Sequence, residues 1–252
     1  MIRIFKFGGA SVKDAAAVRN MTTIVDRFKD DQLVIVVSAM GKTTNALERV
    51  NRLRFDSMSY AEPLAEIRNY HEQIIDDLFG ADSAGRLVLQ QHLEALDSVL
   101  AKPCSSHFDC EYDQIIVFGE LISTAIIEAW FRHCSIDSEW FDARAIIRTD
   151  NRYRDARVDW DQSARQLGPL KEALDSGKRC ILQGFIGRDE TGNSTSLGRE
   201  GSDLTAAIMA YLLDAADVTI WKDVPGMLNA DPKWFKNTVK LDSISFKEAI
   251  EL

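Results

Sequence analysis

The sequence predicts an α/β fold, a three-layer αβα sandwich around a mainly parallel central sheet, and three observations predict it. Short β-rich apolar runs fall at 2–7, 33–37, 139–141, 145–148, 180–185 and 218–221. Helical periodicity fills the intervals at 13–29, 44–54, 62–79, 86–100, 112–134, 162–176 and 203–213. Strands alternating with helices of that length build βαβ units, whose parallel strands carry helices on both faces. The third observation is placement. With the exception of Glu120, the glycine-, hydroxyl- and charge-bearing motifs fall just after a strand or at a helix start, and ligands in such sheets sit outside the carboxyl ends of the strands.

The first strand, Ile2-Arg3-Ile4-Phe5-Lys6-Phe7, runs into Gly8-Gly9-Ala10-Ser11-Val12. A strand buried on both faces should not carry a lysine at its exit unless an anion waits for it, the alternative being a strand-to-helix turn with a solvated lysine. Gly8 and Gly9 let backbone N–H groups approach phosphate oxygens, and Ser11 adds a hydroxyl or a helix cap.

The second strand leads to Ser38-Ala39-Met40-Gly41-Lys42-Thr43-Thr44-Asn45. Gly-Lys-Thr invites a P-loop reading, but that motif requires a glycine where Val36 stands. What remains is a hydroxyl-rich loop able to bind a small polar ligand through Ser38 and Thr44, or to cap a helix.

Phe118-Gly119-Glu120-Leu121-Ile122-Ser123 sets a carboxylate in an apolar, helical stretch. A helix-interior glycine costs about 1 kcal/mol relative to alanine, which points to close approach of something at that turn. Glu120 there can receive an ammonium group, unless it lies on a solvated face.

The strand 180–185 ends in Gln183-Gly184-Phe185-Ile186-Gly187, and Leu197-Gly198-Arg199-Glu200-Gly201-Ser202-Asp203 opens the next helix. The planar fork of Arg199 is suited to a bidentate carboxylate grip, and Ser202 or Asp203 is expected to cap the helix. After the last strand come Lys222-Asp223-Val224-Pro225-Gly226, Leu228, Asp231-Pro232 and Lys233. The lysines suit phosphates, and Asp231-Pro232 reads as a cap with proline at the first helical position. A capped helix is expected from Ser245. It reaches Leu252 without a trailing turn, so the chain is expected to be cut short.

Composition narrows the partners. A formal charge of -9 over 252 residues argues against a nucleic-acid or membrane-surface binder, which needs a basic face. No apolar run reaches the ~20 residues of a membrane span. Cys104, Cys110, Cys134 and Cys180 form no CxxC pair, and His71, His92, His107 and His133 show no ligand spacing. Reduced thiols in a cytoplasmic protein are the simplest reading.

Taken together, Lys6–Val12, Ser38-Ala39 with Thr44-Asn45, Gly119–Ser123, Gln183–Gly187, Leu197–Asp203 and Asp223–Gly226 resemble the catalytic domain of aspartate kinase, in the amino acid kinase family. The resemblance covers essentially the whole chain. It implies the amino acid kinase fold over 1–252 with its C-terminal part missing and no regulatory ACT domain. It also implies ATP-dependent phosphorylation of the side-chain carboxylate of L-aspartate to 4-phospho-L-aspartate, the first step toward lysine, threonine and methionine.

By the match, Lys6 and Asp203 would be catalytic. Ser38, Thr44, Glu120, Phe185, Arg199 and Ser202 would line the aspartate pocket. Lys6, Gly8, Gly9, Ser11, Lys222, Asp223, Leu228, Asp231 and Lys233 would contact ATP, with Mg2+ held mainly by the ATP phosphates and no metal site on the protein. A homodimer is expected for the full-length protein. Ala10, Lys222 and Leu228 depart from the usual family residues, which are threonine, threonine and often an aromatic. The family also continues past Leu252 with a Gly-Ala-Lys segment that contacts ATP.

The chemistry suits the residues. A carboxylate acceptor with a pKa of about 3.9 is already ionised at neutral pH, so no general base is required, and no histidine stands in any motif. What phosphoryl transfer requires is alignment and neutralisation of charge. Alternative readings are another amino acid kinase, of the glutamate 5-kinase or acetylglutamate kinase type, and a non-catalytic nucleotide- or amino-acid-binding module.

Overall fold

The first strand, Ile2–Phe7 (β1), lies beside Gln32–Val37 (β2), and the two pair in parallel from Ile2↔Gln32 to Phe7↔Val37. With Ser138–Phe141 (β3), Arg179–Gln183 (β4), Ile186–Arg188 (β5), Ser194–Ser196 (β6) and Asp217–Trp221 (β7), the strands form a five-stranded parallel sheet of order β3-β4-β2-β1-β7 and an antiparallel β5–β6 hairpin. This computed structural model describes residues 1–82, 84–224 and 226–251. Ser83, Pro225 and Leu252 lie outside the described residues, and with them the proline of the expected Pro-Gly turn and the expected chain end. The chain forms two compact units, Met1–Trp221 and Lys222–Leu252.

In the first unit the helices are Ala15–Asp26 (α1), Thr43–Phe55 (α2), Ala61–Phe79 (α3), Ala84–Leu100 (α4), Phe108–Ile116 (α5), Phe118–His133 (α6), Ala143–Ile146 (α7), Trp160–Arg165 (α8), Gly168–Asp175 (α9) and Gly201–Leu213 (α10). Leu33 to Val37 are fully buried without a break, which a strand achieves only with cover on both faces. The helical stretch Phe108–His133 is long and apolar enough to cross a membrane, but 89% of its most apolar window is buried within the protein. It is a core helix pair, broken at Val117.

Local chemistry sets several boundaries. Asp14 caps α1 by accepting from Ala17 N–H at 2.8 Å. Pro169 in the first turn of α9 divides the helix expected over 162–176 into α8 and α9. The strand expected at 145–148 does not form. Asp142 accepts from Arg144 N–H at 3.0 Å and Gln183 Oε1 accepts from Ala143 N–H at 2.8 Å. These two acceptors satisfy the first N–H groups of α7 and outweigh the β propensity of Ile146-Ile147. Beyond α7, single bridges join Arg148 to Arg188 and Thr149 to Val158.

In the second unit Leu228 pairs antiparallel with Lys240, Asn229 N–H donates to Val239 O and Leu241 N–H to Met227 O. Asp231 Oδ1 accepts from Lys233 N–H at 2.8 Å. It therefore caps a turn, not the helix that Asp231-Pro232 leads one to expect. The helix expected after Ser245 is present as Phe246–Glu251 (α11), with Ser245 and Glu248 exchanging side-chain-to-backbone bonds in a capping box.

Candidate active site

At the carboxyl ends of β1, β2 and β4 a cavity of about 240 Å³ is lined by Lys6, Ser38, Thr44, Glu120, Phe185 and Ser202, together with Gly198, Glu200 and Gly201. The six sequence-selected residues in that group come from five separate segments of the chain, and parallel strand topology brings them together.

Lys6 faces Val36 in β2 and Ile220 in β7 in the ladder register, and it is buried. Its Nζ lies 2.5 Å from Asp203 Oδ1, in the first turn of α10. A Cβ on Gly8 would come 3.7 Å from Lys6 Nζ, so the ammonium rests close to the Gly8 backbone. Gly9 answers a packing demand. A side chain there would meet Ala39 O at 2.6 Å, and Gly41 N–H donates to Gly9 O at 3.1 Å. Ser11 Oγ donates to Trp221 O at 3.0 Å, tying the turn after β1 to the end of β7.

Glu120 is buried in the first turn of α6. Its Oε1 accepts from Ala39 N–H at 3.2 Å, and Oε2 has no hydrogen-bond partner among the described residues. Burial pushes its carboxyl up to about 8, against the weaker pull of the Ala39 N–H. The neighbouring glycine has a cause as well: a Cβ on Gly119 would lie 2.9 Å from Ala39 Cβ. Ser123 Oγ donates to Ser38 O at 2.8 Å, which holds the 38–41 loop against α6. The hydroxyls of Ser38, Thr44 and Ser202 form no bond to the described residues and stand open to a ligand.

The expectation that Ser202 or Asp203 caps α10 is not met. The helix begins at Gly201, two residues before the expected start, with Glu200 in the left-handed region at the N-cap. That shift frees Ser202 for the cavity and Asp203 for Lys6. Phe185 (φ 72°) and Glu200 (φ 55°) are both left-handed, a conformation of order 1–3 kcal/mol uphill for residues with a side chain. Thr205 Oγ1 accepts from Phe185 N–H at 2.9 Å and donates to Gly201 O, which braces the turn. Sequence reasoning missed Glu200 as a lining residue, since nothing in its type distinguishes it from a solvated acid.

Gly184 and Gly201 let the two turns touch. A Cβ on Gly184 would fall 2.5 Å from Ser202 Cβ and 2.8 Å from Ser202 Cα, and one on Gly201 2.6 Å from Phe185 Cδ2. Gly184→Ala is therefore expected to lower stability by about 1–3 kcal/mol and to displace Ser202, which urea unfolding and a crystal structure of the variant together check.

Arg199 is exposed and is not among the lining residues, though its neighbours Gly198 and Glu200 are. Lys222, Asp223, Asp231 and Lys233 are exposed and Leu228 half-buried in the second unit. Among the described residues no group of three His, Cys, Asp or Glu side chains is placed to hold a metal ion.

A model of the amino acid kinase family matches residues 1–252. The chain belongs to the amino acid kinase family. It is 33% identical to lysine-sensitive aspartokinase 3 of Escherichia coli (strain K12), over all of this chain and 55% of that protein. It is 32% identical to an aspartokinase of Chlamydia muridarum, over 99% of this chain and 54% of the relative. In structure it is similar to E. coli aspartokinase III in complex with aspartate and ADP, with a TM-score of 0.89 at 32% identity over 100% of this chain and 56% of that one. This amino acid kinase chain thus spans about half the length of the relatives it matches, and its α/β fold with a mainly parallel sheet is theirs.

Proposed function

We propose that this chain forms the catalytic part of an enzyme that transfers the γ-phosphoryl group of ATP to the side-chain carboxylate of L-aspartate, giving 4-phospho-L-aspartate. The observation that carries the reading is that one cavity is lined both by Lys6, which Asp203 holds in an ion pair, and by the half-satisfied buried carboxylate of Glu120. Support also comes from the aspartate and ADP held by the similar E. coli aspartokinase III.

In this reading Glu120 Oε2 accepts the α-ammonium of aspartate, and the hydroxyls of Ser38, Thr44 and Ser202 bind its carboxylates. Arg199 reaches the α-carboxylate from the loop above. The reacting carboxylate, already ionised, attacks the γ-phosphorus in line, and the bond to the β–γ bridging oxygen of ATP breaks. Lys6 neutralises charge gathering on the transferring group, and Asp203 fixes the direction of its ammonium. Gly8 leaves the phosphate path open beside that ammonium. Mg2+, carried by the ATP phosphates, would neutralise further charge, and Asp203 would orient its waters.

Nucleotide contacts by Gly9, Ser11, Lys222, Asp223, Leu228, Asp231 and Lys233 belong to the same proposal. So do a role at the entry to lysine, threonine and methionine synthesis, a cytoplasmic site of action, a homodimeric full-length enzyme and the assignment of residues 1–252 to a single catalytic domain.

Trapping the acyl phosphate with hydroxylamine tests the reaction on the full-length protein. Aspartate with ATP should give the hydroxamate, whereas product from glutamate or acetylglutamate alone would end the reading. Arg199→Ala is expected to raise aspartate KM roughly tenfold to a hundredfold, the worth of a charge-assisted hydrogen bond, and to change ATP KM little. Steady-state kinetics in both substrates checks this split.

A further inference from the structure

Asp113, on α5, is fully buried, yet it lies outside the cavity and no step above uses it. Three donors converge on its carboxylate. Ser196 Oγ donates to Oδ1 at 2.6 Å, Ser196 N–H to Oδ2 at 2.8 Å and Arg154 N–H to the same Oδ2 at 3.0 Å. Burial pushes the carboxyl up to about 6 against the pull of these donors, which leaves it ionised at neutral pH. Hydrogen bonds are its main support and the Arg154 charge a smaller one, since that guanidinium lies 4.5 Å from the centre of the Tyr112 ring and pairs with Asp109.

Both clasped segments border the 197–200 loop that leads into α10. Ser196 ends β6, and the next residue, Leu197, donates its N–H to Phe185 O at 2.8 Å. Ser196 O accepts from Ala156 N–H at 3.0 Å. Arg154 is left-handed, at φ 70°, and the 152–155 turn in which it lies forms the bed of Gly198. A Cβ on Gly198, itself at φ 76°, would come 3.0 Å from Asp155 Oδ1 and 3.1 Å from Arg154 O. One carboxylate therefore fixes both the strand that enters the loop and the turn against which the loop rests.

We infer that Asp113 is a positioning residue for acceptor recognition: by clasping Ser196 and Arg154 it sets how the 197–200 loop and the first turn of α10 present Arg199 and Ser202. The inference rests on the reading of the cavity as the acceptor site.

Asp113→Asn and Ser196→Ala in the full-length protein test it. Asparagine replaces one acceptor oxygen with an NH2 that meets N–H donors, and Ser196→Ala removes a single bond. Asp113→Asn is expected to raise aspartate KM about tenfold, as small misplacements of binding groups do. Ser196→Ala should raise it by a smaller factor. ATP KM and kcat at saturating aspartate should stay within about twofold, and amide exchange at 197–202 should quicken. A merely structural role would reduce the amount of folded enzyme and leave the KM of the folded fraction unmoved.

Unchanged aspartate KM in both variants, with the wild type active on aspartate, overturns the inference and leaves the functional reading standing. A wild type inactive on aspartate overturns the functional reading; unaltered exchange at 197–202 in Asp113→Asn then overturns the positioning role too. If Asp113→Asn does not fold, Ser196→Ala decides by the same measurements.

Discussion

Lys6→Met is expected to lower kcat by roughly 10²–10³-fold, the range seen when one preorganised group is removed from a developing oxyanion. Methionine keeps most of the volume of the lysine stem, so the strand β1 and its ladder to β2 should survive. Asp203→Asn should give a loss of similar direction and smaller size, since the ammonium remains but its direction is no longer fixed by the contact at 2.5 Å. The two changes act through one unit, so the double variant should fall well short of the product of the single effects. Single-turnover measurements with circular dichroism of each variant check this. A Lys6→Met enzyme with wild-type kcat would remove Lys6 from the chemistry.

The second large effect is expected at Glu120. With its carboxyl pushed up to about 8, the ligand-free protein holds Glu120 protonated at neutral pH. An aspartate ammonium stabilises the ionised form, so binding should release a proton. Apparent affinity for aspartate should then rise roughly tenfold per pH unit below 8 and level off above it. Stability carries the opposite sign. The folded state binds this proton more tightly than the unfolded chain does, so the contribution is fully present below the ordinary value of 4.5 and is lost as pH rises through about 8.

Glu120→Gln should flatten that decline and raise the melting temperature of the free protein above neutrality. Aspartate binding should weaken by roughly 10²-fold, because a neutral amide replaces a charge in a buried site. Calorimetry in two buffers of different ionisation enthalpy reads the proton directly. Equal apparent heats in both buffers would contradict the assignment of the ammonium to Glu120.

Much of this site was legible because its residues break the rules of the elements that hold them. A lysine in an apolar strand needs a reason, and Asp203 provides it. A glycine inside a helix needs a reason, and Ala39, in contact with the Gly119 turn, provides it. The βαβ alternation likewise reported the parallel sheet, because a strand as continuously apolar as Leu33–Val37 has few other uses.

What stayed hidden depends on partners distant in sequence. Residues 145–148 look like a strand until Gln183, from β4, accepts the N–H of Ala143 and helps to start α7. The α10 start was misplaced because the left-handed conformation of Glu200 leaves no trace in residue type. Asp113 resembles any acid on an amphipathic helix, and only the folded position of Ser196 shows its use.

The central claim, that the cavity lined by Lys6 and Glu120 is where acceptor and phosphoryl donor meet, is tested most directly by a crystal structure of this protein with aspartate and ADP bound. The aspartate ammonium should lie within hydrogen-bonding distance of Glu120 Oε2, with the side-chain carboxylate directed at Lys6. Aspartate bound elsewhere, with Glu120 Oε2 still lacking a partner, would contradict it.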